Sequence, residues 1–385
     1  MNKLIINPFF YYIIFFTLTF FLYDLRWSDI FIDKSLELSL FIFSTVFFAI
    51  IFIFVVNNFI SKDSDLNINE VSKYKVKIIL YFLIFGALLE YAYHGLIPIY
   101  YVSRGIYYDY TQFGIPVFHV FFLSYVTLLG IVYGYRFLIY KKKYYLLIYG
   151  FSIIFSISII NRGTLMFIIM ASVISYCSIN FRIKKLLKTI LVGFLVILLF
   201  GFLGNLRMSS SGYTEEDAIL KVGQASHNFY KTSLPSELFW GYLYITSPYA
   251  NLEYEVQQRK FNHSLNYKSF FNYEILPDFI SKRVNVGNTT SNLIVDELNV
   301  STMYAGSINK LGFLGGIILF FWYSISSIIT LKLVQANYLK LTLILLSTLS
   351  CFLVFDNVLR FSGFVFQFFI LICFSHFKFK QLSIL

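Results

Sequence analysis

Residues 38–56 read LSLFIFSTVFFAIIFIFVV, an apolar run with no charge in it, and Lys34 and Lys62 stand on either side of it. A helix rises ~1.5 Å per residue, so a run of this length covers the ~30 Å of hydrocarbon in a bilayer. Working outward, blocks of the same kind recur near 5–23, 36–60, 77–97, 114–135, 144–160, 164–181, 189–206, 308–331, 338–355 and 361–377. The first is long and aromatic, with no small-x-small cleavage site after it, and reads as a span rather than a signal peptide. Pro98 and the Tyr-rich stretch behind it leave a re-entrant turn open after the third block. Only 13% of the 385 residues are charged and 58% are hydrophobic, whereas soluble chains carry ~25% charge. The expected fold is an all-α polytopic membrane protein with about ten transmembrane helices. Residues 1–206 form a seven-helix segment, 207–307 a long loop, and 308–385 a three-helix segment of one integrated membrane domain.

Lysine and arginine orient it. One alternating set of short loops holds Lys3; Lys62, Lys73, Lys75 and Lys77; Arg136, Lys141, Lys142 and Lys143; Arg182, Lys184, Lys185 and Lys188; Lys332 and Lys340; Lys378 and Lys380. The other set holds Arg26, Lys34, Arg104, Arg162 and Arg360. The positive-inside rule then places both termini in the cytoplasm and the long loop outside. Of nine arginines, Arg26, Arg104, Arg162, Arg207, Arg259, Arg283 and Arg360 fall on that outer side. The rule explains the lysines and gives no reason for this bias. A guanidinium grips phosphate or carboxylate through a planar fork, so the pattern points to an anionic substrate at the outer face. The bland alternative is single arginines snorkelling to headgroups.

The long loop carries helical signals. Thr214-Glu-Glu-Asp217 reads as an N-cap with acids in the first turn, followed by Ile219, Val222, Ala225 and Phe229 at helical spacing. Leu238–Tyr249 is too short to span, and its Trp and Tyr content suits an interfacial segment. The loop is read as a partly folded cap, with any active site shared between it and the spans. No internal repeat is evident, which counts against inverted-repeat transporters.

Several familiar patterns carry nothing. Asp63-Ser-Asp65 is formally a D-x-D pair, but no nucleotide-binding βαβ unit accompanies it. Asn262-His-Ser264, Asn288-Thr-Thr290 and Asn299-Val-Ser301 match a sequon that chance supplies in an Asn-rich chain. Cys177, Cys351 and Cys373 lie in or beside apolar blocks and form no metal or disulfide spacing.

The candidates for chemistry are ionisable groups near the outer ends of blocks. His119 stands in the fourth and Glu90 near the end of the third, where each is costly unless paired or wet. Either is a candidate general base. The alternatives are a neutral interhelical histidine and a glutamate that only partners an arginine. Gly201-Phe-Leu-Gly204-Asn205-Leu-Arg207 closes the seventh block and offers Asn205 and Arg207 as donors. Asn161-Arg162-Gly163 is a tight turn that puts Arg162 at the same face.

Taken in order, these segments resemble the Wzy-type O-antigen and capsule polymerases, the oligosaccharide repeat-unit polymerases. The resemblance rests on Glu90-Tyr-Ala-Tyr-His-Gly95-Leu-Ile-Pro98 and Tyr110-Thr-Gln-Phe-Gly-Ile-Pro-Val-Phe-His119. It also rests on the paired arginine motifs Asn161-Arg-Gly163 and Gly204-Asn-Leu-Arg207, on Ser247-Pro-Tyr-Ala-Asn251-Leu, and on Asn299 to Gly316 with Leu311-Gly-Phe-Leu-Gly315. Each motif is weak alone, and their order and spacing over about residues 80–320 make the likeness.

The resemblance implies a metal- and nucleotide-independent glycosyltransferase in the bacterial inner membrane with its site facing the periplasm. It would transfer a glycan from undecaprenyl diphosphate to another lipid-linked repeat unit. Its partners would be the lipid-linked donor and acceptor oligosaccharides, the bilayer and a chain-length regulator protein. No nucleic acid and no cofactor is implied. In that chemistry Arg162 and Arg207, with Arg360, Asn205 and Arg104, would hold diphosphate, and His119 or Glu90 would take the acceptor proton. An O-antigen ligase shares the architecture. A lipid-linked oligosaccharide flippase is the rival of another class and would be expected to show repeats and deep charges.

Overall fold

The computed structural model describes residues 2–60, 69–104, 112–179, 181–210, 218–259, 265–287, 291–295 and 297–376. The Thr214 cap, the Asp63/Asp65 pair and the sequons at Asn262 and Asn288 lie outside them. The protein is all-α. Among the described residues there is no strand, and one isolated bridge joins Ser28 to Ala225.

A long helix stands at every block expected to cross the membrane. These are α1 Pro8–Tyr23, α2 Leu36–Asn57 and α3 Lys73–His94, then, after a short α4 Pro98–Ser103, α5 Phe118–Tyr140, α6 Tyr145–Ser158, α7 Arg162–Ser178 and α8 Ile183–Ser210. The loop contributes α9 Ser236–Arg259 and α10 Ala305–Leu311, and α11 Phe313–Leu333, α12 Ala336–Phe352 and α13 Ser362–His376 complete the chain. Among the described residues, α2, α3, α5 and α11 are long and apolar enough to cross a membrane, and α1, α6, α7, α12 and α13 are apolar but shorter. Local chemistry sets the starts. The side chains of Asn7, Ser35, Ser72 and Asn161 each accept a backbone N–H of the following first turn. That satisfies donors which would otherwise stay unpaired.

The helices differ in what surrounds them. Nearly three quarters (72%) of the apolar window of α5 is buried, against 28% for α2 and 33% for α3. The surface of α2 and α3 instead presents Leu40, Phe47, Phe54, Tyr81, Phe85 and Leu88. So broad an apolar face is foreign to soluble monomers and suits a lipid surround. Helix α5 is thus an inner element, packed by α6, α7 and α13. Helix α12 is the second, packed by α1 and α7, with every residue from Leu341 to Cys351 buried. Polar links cross this core: the Tyr12 hydroxyl donates to Thr45 Oγ1 at 2.8 Å and shares a 2.5 Å hydrogen bond with Tyr304.

Two loop elements depart from the expected lengths. Helix α8 runs to Ser210, one turn beyond the boundary expected at 206. The short run at Leu238–Tyr249 is the first half of the 24-residue α9, which continues through Pro248. Proline leaves one helical hydrogen bond unmade. The surrounding packing compensates, since Thr246 to Glu253 are all buried, and α9 lies against α8, α1 and α10. A smaller cluster of Ile219, Phe229, Phe239, Tyr242 and Leu243 closes over Trp27. Ser226 Oγ donates to the Arg26 carbonyl at 2.5 Å and Ser28 Oγ to that of Gly223 at 2.6 Å. The described part of the loop around Gly223–Ser226 is thus tied to the 24–35 connection.

Candidate functional site

Helix ends gather at one end of the bundle. Helix α3 brings Glu90 there one turn before its C-cap, Gly95, and α5 brings His119 in its first turn. The backbone between them is forced. Gly114 has φ +99° and Val117 φ +70°, the latter a conformation that a β-branched residue adopts only at a cost of about 1–3 kcal/mol. A Cβ on Gly114 would lie 2.3 Å from the His119 ring, so the ring packs where only glycine leaves room. Phe113 meets His119 edge-on at 5.5 Å and stacks on His94 at 5.2 Å.

The result is a carboxylate–imidazole pair. His119 Nδ1 lies 2.9 and 3.0 Å from the two oxygens of Glu90. Glu90 is fully buried, whereas the His119 side chain keeps 19% of its surface. In the neutral tautomer whose Nδ1–H donates to the carboxylate, Nε2 carries the ring's lone pair. The two residues singled out as alternative bases are therefore one hydrogen-bonded pair, in which the Glu90 side chain is closed off and that of His119 is partly exposed.

The arginines are placed next. Arg162 is the first residue of α7, exposed, immediately after Asn161, whose side chain caps the helix through the Thr164 N–H at 3.0 Å. Arg360 lies in the Val358–Arg360 turn just ahead of α13. Helices α7 and α13 meet through Phe167 and Phe364, stacked at 4.4 Å, so Arg162 and Arg360 stand at the same end of touching helices. Arg360 NH2 is 3.4 Å from Asp356 Oδ1 and its charge is partly countered. Loss of hydration pushes the Asp356 carboxyl above its usual range, and Arg360 opposes that shift. Arg104 is exposed at the end of α4, over the Tyr100 ring at 4.2 Å, and its described contacts join none of the other candidates. Asn205 and Arg207 lie in the last turns of α8; their side chains are outside the described structure.

A second polar cluster was not signalled by the sequence. Glu274 sits in a π-helical turn, Phe271–Ile275. Its Oε1 pairs with Lys310 Nζ at 2.8 Å, with the side chains 4% and 2% exposed. Asn357 donates from Nδ2 to the Glu274 carbonyl at 2.9 Å and to Oε2 at 3.1 Å. The carboxylate reaches this position only because Gly306 has no Cβ, which would lie 2.3 Å from Oε1. Asp278 Oδ1 accepts the Ser362 N–H at 2.9 Å. The loop is thereby fastened to α10 and to the turn that carries Arg360. On α9, Asn251 and Glu255 do the same for the loop's return: Asn251 Nδ2 donates to the carbonyls of Leu298 and Val300 at 2.5 and 2.8 Å, and Glu255 accepts from Asn292 and Asn309. Of these residues the sequence singles out Asn251, in Ser247-Pro-Tyr-Ala-Asn251-Leu, and the stretch from Asn299 to Gly316 that holds Asn309 and Lys310, but not their partners. Among the described residues no group of His, Cys, Asp and Glu could hold a metal ion.

Fold and site together define an all-α protein of apolar, membrane-length helices with a carboxylate–imidazole pair at one end of the bundle. No family model, no curated protein and no solved structure matches the chain.

Proposed function

We propose that the chain is a polymerase of lipid-linked oligosaccharides, with ten spans, both termini in the cytoplasm, and its site at the outer face of a bacterial inner membrane. The observation that carries this reading is the Glu90–His119 pair, at the end of the bundle where Arg162 and Arg360 also stand. The order of motifs resembling the Wzy-type polymerases supplies the substrate class.

In this scheme the acceptor sugar hydroxyl gives its proton to His119 Nε2 as its oxygen attacks the anomeric carbon of the donor glycan. The bond from that carbon to the diphosphate oxygen breaks, and the electron pair leaves with undecaprenyl diphosphate. Glu90 stabilises the imidazolium that forms. Arg162, with Arg360 and Arg207, receives the charge developing on the leaving group, where scarce water makes each contact count for more.

The test is a gel of surface polysaccharide from a strain lacking the gene, complemented with wild type or Arg207→Lys. Collapse of a ladder to core plus one repeat, restored only by wild type, supports the polymerase. Unligated long chains indicate a ligase. An unchanged ladder overturns the reading.

A further inference from the structure

We propose that the cleft between α3 and α6 seats the isoprenoid chain of the lipid diphosphate next to the Glu90–His119 pair, an inference that rests on the function proposed above.

The cleft is about 180 Å³ and is lined by Ile84, Ala87, Leu88 and Tyr91 on α3 and by Phe151, Ile154 and Phe155 on α6. Ordinary ligand pockets run from roughly 300 Å³ upward, so this one holds a stretch of chain rather than a whole molecule. Its walls are two helical stripes: positions 84, 87, 88 and 91 share one face of α3, and 151, 154 and 155 share one face of α6. Both stripes run toward the end where the proposed chemistry lies. A hydroxyl–hydroxyl hydrogen bond between Tyr91 and Ser158 marks the end of the cleft nearest Glu90. Glu90 is the neighbour of Tyr91, and Arg162 follows Ser158 by one turn of chain.

That register decides the occupant. A chain lying in the cleft with its head past Tyr91 and Ser158 delivers a diphosphate to Arg162 and a glycosidic bond to His119. The outer rim is open: Leu88 is 58% and Ile154 68% exposed, while Ala87, the small residue on the floor, is 5% exposed. The rim faces the same apolar surface that α3 presents to lipid, so a long chain enters sideways from the bilayer. The aromatic walls of Tyr91, Phe151 and Phe155 offer flat faces to a methyl-branched chain.

The experiment uses the full chain in vesicles of phosphatidylethanolamine and phosphatidylglycerol, with two photoreactive probes. One is a polyprenyl diphosphate with a diazirine in its chain, the other a phospholipid with a diazirine in its acyl tail. The expected result is labelling of peptides spanning residues 84–91 and 151–155 by the polyprenyl probe, suppressed by undecaprenyl diphosphate but not by phospholipid. Leu88→Trp fills the cleft from its rim and lowers that labelling about ten-fold. Ile154→Trp, at a still more exposed position, repeats the result should the first variant fold poorly. Equal labelling by both probes without competition overturns the proposal. Binding and polymerisation are read separately: cleft labelling without any polymer retains the cleft and removes the polymerase reading. A normal ladder from both tryptophan variants, in strains where Arg162→Lys makes none, retains the polymerase and removes the cleft.

Discussion

His119 Nδ1 sits almost equally distant, 2.9 and 3.0 Å, from the two carboxylate oxygens of Glu90, which is closed off from its surroundings while the imidazole is not. A buried carboxylate so held fixes the ring's tautomer and orientation, which is the part it plays in acid–base pairs generally.

Replacing Glu90 by Gln keeps the shape and removes the charge. Polymer formation in membranes should fall by about 10²- to 10⁴-fold, with the protein still present in the membrane. His119→Gln should fall at least as far. The double variant should lose no more than His119→Gln alone, since the two act as a unit. Additive losses would mean that Glu90 and His119 work separately.

Gly114→Ala tests the geometry rather than the chemistry. The added methyl would meet the His119 ring at 2.3 Å, on a backbone already at φ +99°. The strain is about 1–3 kcal/mol, and the expected loss of turnover is about ten-fold or more, with the apparent affinity for lipid-linked substrate little changed. Wild-type turnover would show that the ring need not be held.

The arginines should separate. Arg162→Lys keeps the charge but loses the bidentate fork, and should slow polymerisation by about 100-fold. Arg104→Lys, at an exposed residue resting on Tyr100, should stay within about two-fold of wild type. Equal effects at both positions would argue that these side chains serve only to anchor helix ends.

The Lys310–Glu274 pair predicts a stability effect. Lys310→Ala leaves a buried carboxylate without its cation and should cost about 3–5 kcal/mol. Lys310→Met combined with Glu274→Leu removes both charges and should recover much of that loss. Thermal unfolding in detergent compares the three proteins. A single variant as stable as wild type would falsify the claim that this pair fastens the loop.

Asn251→Ala withdraws two donors from the Leu298 and Val300 carbonyls and an acceptor from the Ile294 N–H. Each unsatisfied group costs about 1–3 kcal/mol. Segment 291–300 should then become sensitive to added protease in spheroplasts while α9 stays intact. Unchanged resistance would mean that other contacts hold it.

Where the long helices lie, and that the chain is all-α and apolar, followed from the order of residues alone. Block length and charge-poor composition are local properties, readable without knowing what lies opposite. The sequence also pointed to Glu90, His119 and Arg162, because an ionisable group in an apolar block needs a reason. That Glu90 and His119, 29 residues apart, are one pair came from the folded chain, since it depends on two positive-φ residues turning the chain into α5. The folded chain decided too that α5 and α12 are inner helices while α2 and α3 face outward: the inner α5 is less apolar than the outward α2, so neighbours rather than composition set burial. The Glu274–Lys310–Asn357 cluster and the continuation of α9 through Pro248 were equally out of reach. Both oppose local preference, a buried charge in one case and a missing backbone donor in the other, and exist because partners distant in sequence supply what the local chain lacks.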